Sequence, residues 1–405
     1  MEKDRKIDLL LKRELNIKGI NVKVVDIVFA TVIWILGIFL RYKLFPIQSG
    51  DYVGCLEIWM NKIREYGGWK SLKYEISNYT SPYMYLMCLV SGADNTLYAL
   101  KWISVAFDYI AAIAMFMIVW QLTKNTRKSI LGMSFLILSP TVFVDSAYWC
   151  QCDIIYCSFI LWAIYFFLKD RSELCMLMVG ISFAFKLQAV FILPFLVIMW
   201  LKKKTVRIVD FLFIPGIYVI LQLPAAMFGR PIGDLMTIYF NQADTYPWCT
   251  LQYPNAYIFF DENYTAGHYF NELSGAGTFL AVIVLGVLAY YIYTSKVKMT
   301  HNFIITLALF SVAVTIYLLP HMHERYGFII DLLAIIYVIL RPKKFWILLG
   351  FTIVSICSYM PFLVGKDIIS MPVLAIILLG LIGFTGYDLY SQIKEQESIQ
   401  EASED

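Results

Sequence analysis

Apolar runs of 13 to about 22 residues recur along almost the whole chain, separated by short polar breaks. The first, Val24 to Leu44, is long enough to cross a bilayer, and downstream runs follow at about 98–120, 129–146, 153–168, 173–185, 187–201, 207–223, 277–294, 301–319, 327–340, 344–362 and 369–390. The pattern predicts an all-α polytopic membrane protein, a bundle of about 12 transmembrane helices (range 10–13). Several runs, notably the two between Glu173 and Leu201, fall short of the roughly 20 residues an untilted span needs. The division that follows is a cytoplasmic tail over 1–23, a single membrane domain over 24–390 with outer loops at 46–97 and 224–276, and an acidic cytoplasmic tail over 391–405.

The outer loops are patterned too. From Tyr52 to Tyr66, Val53, Leu56, Trp59, Met60 and Ile63 recur at roughly helical spacing against Glu57, Lys62, Arg64 and Glu65, which predicts an interfacial helix ended by Gly67-Gly68. Asn78-Tyr79-Thr80-Ser81-Pro82 reads as a turn before Tyr83–Val90, an apolar stretch too short to span and expected to dip into the headgroup region. The second loop holds twelve aromatics, among them Tyr239, Phe240, Tyr246 and Trp248. Such rings anchor to lipid headgroups, or line the wall of a site for a ligand that is part sugar and part lipid.

Composition agrees with a membrane chain: 60% of the 405 residues are hydrophobic, 16% are charged, and the mean hydropathy is +0.67. The net charge of +3 matters less than its placement. Of the 33 Lys and Arg, 22 lie in the two tails or in the short loops around Lys124, Lys169, Lys202, Lys296 and Arg341, which the positive-inside rule assigns to the cytoplasm with both termini. Val24–Leu44 is then a retained anchor, and Asp51, the 224–276 loop and His321–Tyr326 share the outer side. Eight scattered cysteines form no CxxC pair and imply no disulfide framework. No basic face or recognition motif points to nucleic acid.

Candidate chemistry sits at the polar breaks. Asp51 follows the first span, where a carboxylate is either simply solvated or faces a cavity. Asp145, Gln151 and Asp153 lie at the break between the third and fourth runs and would add an acidic, amide-bearing rim. Lys186, in Phe185-Lys186-Leu187-Gln188, lies between two apolar runs with no carboxylate nearby in sequence, so it either snorkels or meets an anion. The densest break is Leu319-Pro320-His321-Met322-His323-Glu324-Arg325-Tyr326-Gly327. HExxH is absent, so zinc is disfavoured. Phosphate suits the cluster better: Arg325 offers a bidentate charge-assisted contact, either histidine can donate, and Glu324 can hold Arg325 in place. A plain salt-bridge cluster that fixes packing is the competing reading.

A lone outer carboxylate, cations suited to a phosphate and an aromatic loop at the membrane suggest transfer of a sugar from a lipid phosphate. Asp51 would take the proton of an acceptor hydroxyl, while Lys186, His321, His323 and Arg325 would stabilise the leaving phosphate. Direct displacement inverts the anomeric carbon, and the good leaving group removes the need for a second carboxyl acid.

The same stretches carry a family resemblance. Gly50-Asp51-Tyr52, Phe185-Lys186-Leu187-Gln188 and His321-Met322-His323-Glu324-Arg325-Tyr326 resemble motifs of GT-C class membrane glycosyltransferases, nearest to bacterial relatives of the ALG-type glucosyltransferases and the GPI mannosyltransferases. Tyr148-Trp149-Cys150-Gln151-Cys152-Asp153 is similar to the family's aromatic-x-Gln-x-polar start of a span, and Tyr253-Pro254-Asn255-Ala256-Tyr257 to the bacterial branch's outer-loop motif. The resemblance implies a GT-C-like bundle, Asp51 as catalytic base, His323 and Arg325 beside the donor phosphate, and a polyprenyl-phosphate hexose as donor. Tyr52, Gln151, Asp153, Gln188, Asn255, Tyr257, Glu324 and Tyr326 are the expected supporting or substrate-binding residues. The chain departs from the eukaryotic pattern with Arg325 in place of lysine. Asp51 also lacks the acidic neighbour that many class members carry, so no cofactor is expected and a divalent metal is left open. The acceptor would be an extracytoplasmic glycan or lipid-linked hydroxyl. A glycan transporter or flippase and an O-antigen-type polymerase are the alternatives.

Overall fold

Helices follow the apolar runs, and their ends fall where capping and proline chemistry place them. The computed structural model describes residues 2–17, 19–203 and 205–404, with the backbone alone for 2–5, 17, 243–245 and 400–404. In chain order the first elements are α1 (Glu2–Lys12), the antiparallel hairpin β1 (Glu14–Ile17) and β2 (Ile20–Lys23), and α2 (Val24–Leu44). The segment 46–97 supplies α3 (Glu57–Glu65) and α4 (Ser81–Leu89). Then come α5 (Thr96–Thr123), α6 (Thr126–Leu138), α7 (Pro140–Phe143), α8 (Asp153–Leu168), α9 (Ser172–Phe185), α10 (Leu193–Lys202) and α11 (Phe213–Met227). The segment 224–276 carries α12 (Ile232–Thr245), β3 (Thr250–Leu251) and α13 (Glu262–Thr265). The chain closes with α14 (Phe270–Thr294), α15 (His301–Leu318), β4 (Met322–His323), α16 (Phe328–Leu340), α17 (Phe345–Val364) and α18 (Met371–Glu404).

The protein is all-α in its bulk. Among the described residues seven helices are long and apolar enough to cross a membrane, or eight when the bent pair Thr126–Leu138 and Pro140–Trp149 is taken as one span. Asp153–Leu168, Ser172–Phe185, Leu187–Lys202 and Phe328–Leu340 are shorter apolar helices. This is the pattern of a polytopic membrane bundle.

Several boundaries differ from the sequence expectation for identifiable reasons. The run expected at 129–146 bends by 43° at Ser139-Pro140, because Pro140 lacks the N–H that would continue the helix. The run at 187–201 starts as a 3₁₀ turn, Leu187–Ile192, just ahead of Pro194. The final helix does not stop near 390 but continues to Glu404. Its tail is rich in helix-forming Glu, Gln and Lys, and Lys394 pairs with Glu397 at 2.8 Å. The stretch from Tyr52 opens with a π-helical turn, Tyr52–Leu56, which changes the phase of the apolar face. Tyr52, Leu56, Met60 and Ile63 are therefore buried while Val53 faces outward. Helix α4 buries Tyr83, Met84, Met87 and Cys88 against protein.

Packing is centred on α15 and α16. The hydropathic window of α15 is 78% buried, against 17% for α2 and 11% for α14, whose apolar faces are left for lipid. Lipid tails are as apolar as leucine, so close packing carries helix association. Gly180 illustrates this in α9: a Cβ there would lie 2.8 Å from the Phe213 carbonyl oxygen, so only glycine lets α11 approach so closely.

Candidate functional site

Four separate stretches meet at one end of α16. Asp51 stands at the start of the π-helical turn Tyr52–Leu56 that follows α2. Trp149, Gln151 and Asp153 come from the turn between the bent helix pair and α8, where Cys150 takes a left-handed conformation (φ 68°) and the Gln151 N–H bonds the Asp145 carbonyl at 2.8 Å. Lys186 is the residue between α9 and the 3₁₀ turn ahead of α10. Glu324 and Arg325 follow β4, which pairs in parallel with β3 so that Thr250 faces Met322 and Leu251 faces His323. That two-residue ladder ties the 224–276 segment to the late polar break.

Arg325 is the hub. Its Nη1 lies 3.2 Å from Asp51 Oδ2 and 2.7 Å from Glu324 Oε1, and its Nε donates to Asp153 Oδ2 at 3.2 Å. Asp153 binds the Lys186 ammonium through its other oxygen at 2.5 Å. The guanidinium also lies over the Trp149 ring, 4.7 Å from its centroid. Asp51 Oδ2 accepts further bonds from Trp149 Nε1 at 3.0 Å and from Gln151 Nε2. Its Oδ1 has no bonding partner among the described residues, and 40% of its side chain is exposed, whereas Asp153 and Glu324 are buried. One carboxylate is thus held by one oxygen and presents the other.

The charge balance is informative. Asp51, Asp153 and Glu324 pair with two cations, Lys186 and Arg325, and the buried Asp145 adjoins Asp153, so carboxylates outnumber cations in the cluster. Burial pushes the Glu324 carboxyl above the ordinary glutamate value, against the pull of Arg325. Burial, reinforced by Arg325 and Lys186, pushes His323 down to about 3. His323 is therefore a neutral imidazole at physiological pH, able to donate or accept one hydrogen bond but not to act as a cation.

The remaining sequence-predicted residues divide by position. Tyr246, after α12, sets its ring edge-on to His323 at 5.1 Å, and Tyr326 packs on the same imidazole at 5.1 Å, with Gln188 beside its phenol. His321 turns elsewhere. Its backbone is left-handed (φ 63°), and its Nε2 meets Ser274 Oγ at 3.0 Å on α14. Asn255 and Tyr257 lie on the carbonyl end of α15: the amide donates to the Leu319 carbonyl at 3.4 Å and the phenol to Leu318 at 2.6 Å, so they fasten the loop behind the site. Tyr52 is buried, with its hydroxyl 3.0 Å from Thr96 Oγ1. Trp149 and Tyr79 are not among the residues that the sequence singles out for the site. Tyr79 lies 5.8 Å below the Lys186 ammonium, and Trp149 could have been found from its place two residues before Gln151. Among the described residues no group of three or more His, Cys, Asp or Glu side chains is arranged to hold a metal ion.

No protein-family model matches the chain, and no curated protein matches it.

Proposed function

We propose that the chain is an inverting glycosyltransferase of the GT-C kind, moving a hexose from a polyprenyl-phosphate donor to an extracytoplasmic hydroxyl. The observation that carries this reading is the continuous run of ion pairs from an exposed carboxylate to two buried cations: Asp51 to Arg325, Arg325 to Asp153, and Asp153 to Lys186. Base and phosphate-binding groups would then act on the two ends of one sugar-phosphate. The acceptor oxygen attacks the anomeric carbon, its proton passes to Asp51 Oδ1, and the bond to the phosphate oxygen breaks. The polyprenyl phosphate departs with that bonding pair. Arg325 and Lys186 offset the charge that develops, with neutral His323 as a hydrogen-bond donor and Tyr246 and Tyr326 flanking the sugar.

Binding an anion to a cluster already in carboxylate excess requires an exchange. In this reading the donor phosphate takes the place of Asp51 on Arg325, so the base is released when the donor arrives, and protonation of Glu324 lowers the opposing charge. The four shorter apolar helices, tilted or locally thinning the bilayer, would complete a count near twelve with both termini inside. Lys and Arg in the breaks away from Asp51 support that orientation.

The test uses the full chain in lipid with polyprenyl-phosphate hexoses and candidate acceptors, and reads the anomeric configuration of the product. A β-linked donor should give an α-linked product. Retention of configuration would remove the single-displacement mechanism, and movement of lipid-linked sugar across the bilayer without transfer would favour the flippase reading. That second reading draws on the ionisable pairs buried along the bundle, such as Arg41 with Asp108 at 2.7 Å.

A further inference from the structure

Lys101 is a fully buried lysine on α5 with no carboxylate partner among the described residues. Its ammonium donates instead to backbone carbonyls: Leu44 at 3.2 Å, Phe45 at 3.1 Å, Ile47 at 2.6 Å and Tyr148 at 3.3 Å. Three N–H bonds serve four acceptors, so at least one is shared. Leu44 and Phe45 close α2, where a cation is favoured by the helix dipole. Ile47 lies four residues before Asp51, and Tyr148 immediately precedes Trp149. One side chain therefore grips both strands of backbone that bring Asp51 to its Trp149 and Gln151 partners.

The grip is repeated along one face of α5. Ser104, one turn on, donates to the Gln151 carbonyl at 2.6 Å. Asp108, a further turn on, binds Arg41 of α2 at 2.7 Å and accepts from Ser146 at 2.6 Å. Positions 101, 104 and 108 share a helix face, so α5 presents a polar stripe to the end of α2 on one side and the 144–151 turn on the other. Ser49 closes the gap directly by donating to the Trp149 carbonyl at 2.5 Å.

We infer that Lys101 is a positioning residue, which fixes the Asp51 carboxylate relative to Trp149 and Gln151 without touching substrate. The catalytic part of this inference rests on the transferase reading, whereas the positioning part stands on the carbonyl contacts alone. Lys186 and Arg325 are reached through other elements, so Lys101 acts on the base side of the site and not on donor capture. A displacement of about 1 Å at a reacting group costs on the order of 100-fold.

The experiment compares the full-length wild type, Lys101→Met, Lys101→Arg and Asp51→Asn in lipid nanodiscs by hydrogen-exchange mass spectrometry and sugar transfer. In Lys101→Met, peptides over 44–52 and 146–152 should exchange faster together while those over 319–327 stay unchanged. The kcat should fall on the order of 100-fold with donor affinity changed by less than about 3-fold. Lys101→Arg, which keeps a cation, should recover part of both. Asp51→Asn should lose transfer with no change in exchange. Unchanged exchange in Lys101→Met overturns the positioning role whatever the activity, and faster exchange at full kcat overturns its link to the base. If the wild type transfers no sugar, the transferase reading fails and the exchange data still decide the grip. Should Lys101→Met not accumulate, Lys101→Gln, which keeps two donors, gives the same readings in weaker form.

Discussion

Helix α16 has an ion cluster at each end, and the two are built on opposite plans. Arg325 lies just before its start and Arg341 just after its 13 residues, so the clusters stand about 20 Å apart along the axis. At the far end one carboxylate, Asp388 of α18, is covered completely. It pairs with Arg341 at 3.1 Å and with Lys344, and accepts from Tyr337 at 2.9 Å and Gln392 at 3.4 Å, with a side-chain exposure of 4%. Cations outnumber carboxylates there, and every group belongs to a helix or its immediate end. At the near end carboxylates outnumber cations, the groups come from loops and breaks, and Asp51 stays open. A saturated carboxylate can only fasten helices together, whereas a half-satisfied one has an oxygen left for chemistry. The contrast separates staple from site without reference to any relative.

The sharpest way to break that contrast is to neutralise one carboxylate at each end. Asp51→Asn keeps the shape and most of the hydrogen bonding but removes the basic oxygen, so transfer should fall by about 10²–10⁴-fold in protein that folds normally. Wild-type transfer by that variant would strip Asp51 of its role. Asp388→Asn should do the reverse. Leaving Arg341 and Lys344 without their counter-charge costs about 3–5 kcal/mol of stability by the usual scale for a broken buried pair, while turnover per folded molecule stays at the wild-type value. Thermal unfolding in detergent together with active-site-normalised rates distinguishes the two.

The contrast also marks how far sequence reading reaches. Asp51, Lys186 and Arg325 were legible because each interrupts apolar sequence at a cost that demands a partner, and the structure brings all three into one network. The identity of the partners was not legible. Lys186 meets Asp153, 33 residues earlier, and nothing local announces such a pair. Asn255 and Tyr257 carry polar groups suited to a ligand, yet both are spent on the carbonyls that end α15. That assignment depends on where a loop docks, not on its residues. The helical spans were visible through hydropathy, but the π-helical turn at Tyr52–Leu56 was not, because a one-residue expansion leaves composition unchanged. Lys101 sits in a run that reads as an ordinary span with one charge, and its role appears only when backbone carbonyls are seen around it.

A subtler variant tests whether the near cluster depends on shape as well as charge. Arg325 engages three carboxylates through a planar fork, with Nη1 shared between Asp51 and Glu324 and Nε turned to Asp153. Lysine keeps the charge but places it at a point, so it cannot hold all three in this geometry. Arg325→Lys should lower transfer by about 10–100-fold, the scale of one to two charge-assisted hydrogen bonds. At the far end, Arg341→Lys should have no effect on turnover, since Lys344 already supplies Asp388 with a point charge. Equal effects from the two substitutions would show that the clusters are both staples.

The smallest effect concerns pH and follows from His323. Its folded value is pushed down to about 3 by burial and by the neighbouring Arg325 and Lys186, while an unfolded histidine titrates near 6.5. Between those values the unfolded chain binds a proton that the folded chain refuses, so stability rises with pH across the window and is lost as pH falls below about 6.5. One such group gives a slope of at most about 1.4 kcal/mol per pH unit. Burial also lowers His321, which adds in the same direction, and raises Glu324, which opposes it near the acid end of the window. The difference between wild type and His323→Gln removes those shared contributions. Unfolding measured from pH 7.5 to 5.5 should therefore show the wild type losing about 1–1.5 kcal/mol more than the variant over that interval. Parallel pH profiles for the two proteins would mean that His323 is hydrated in solution, and that the imidazole stands in an open chamber and not between Tyr246 and Tyr326.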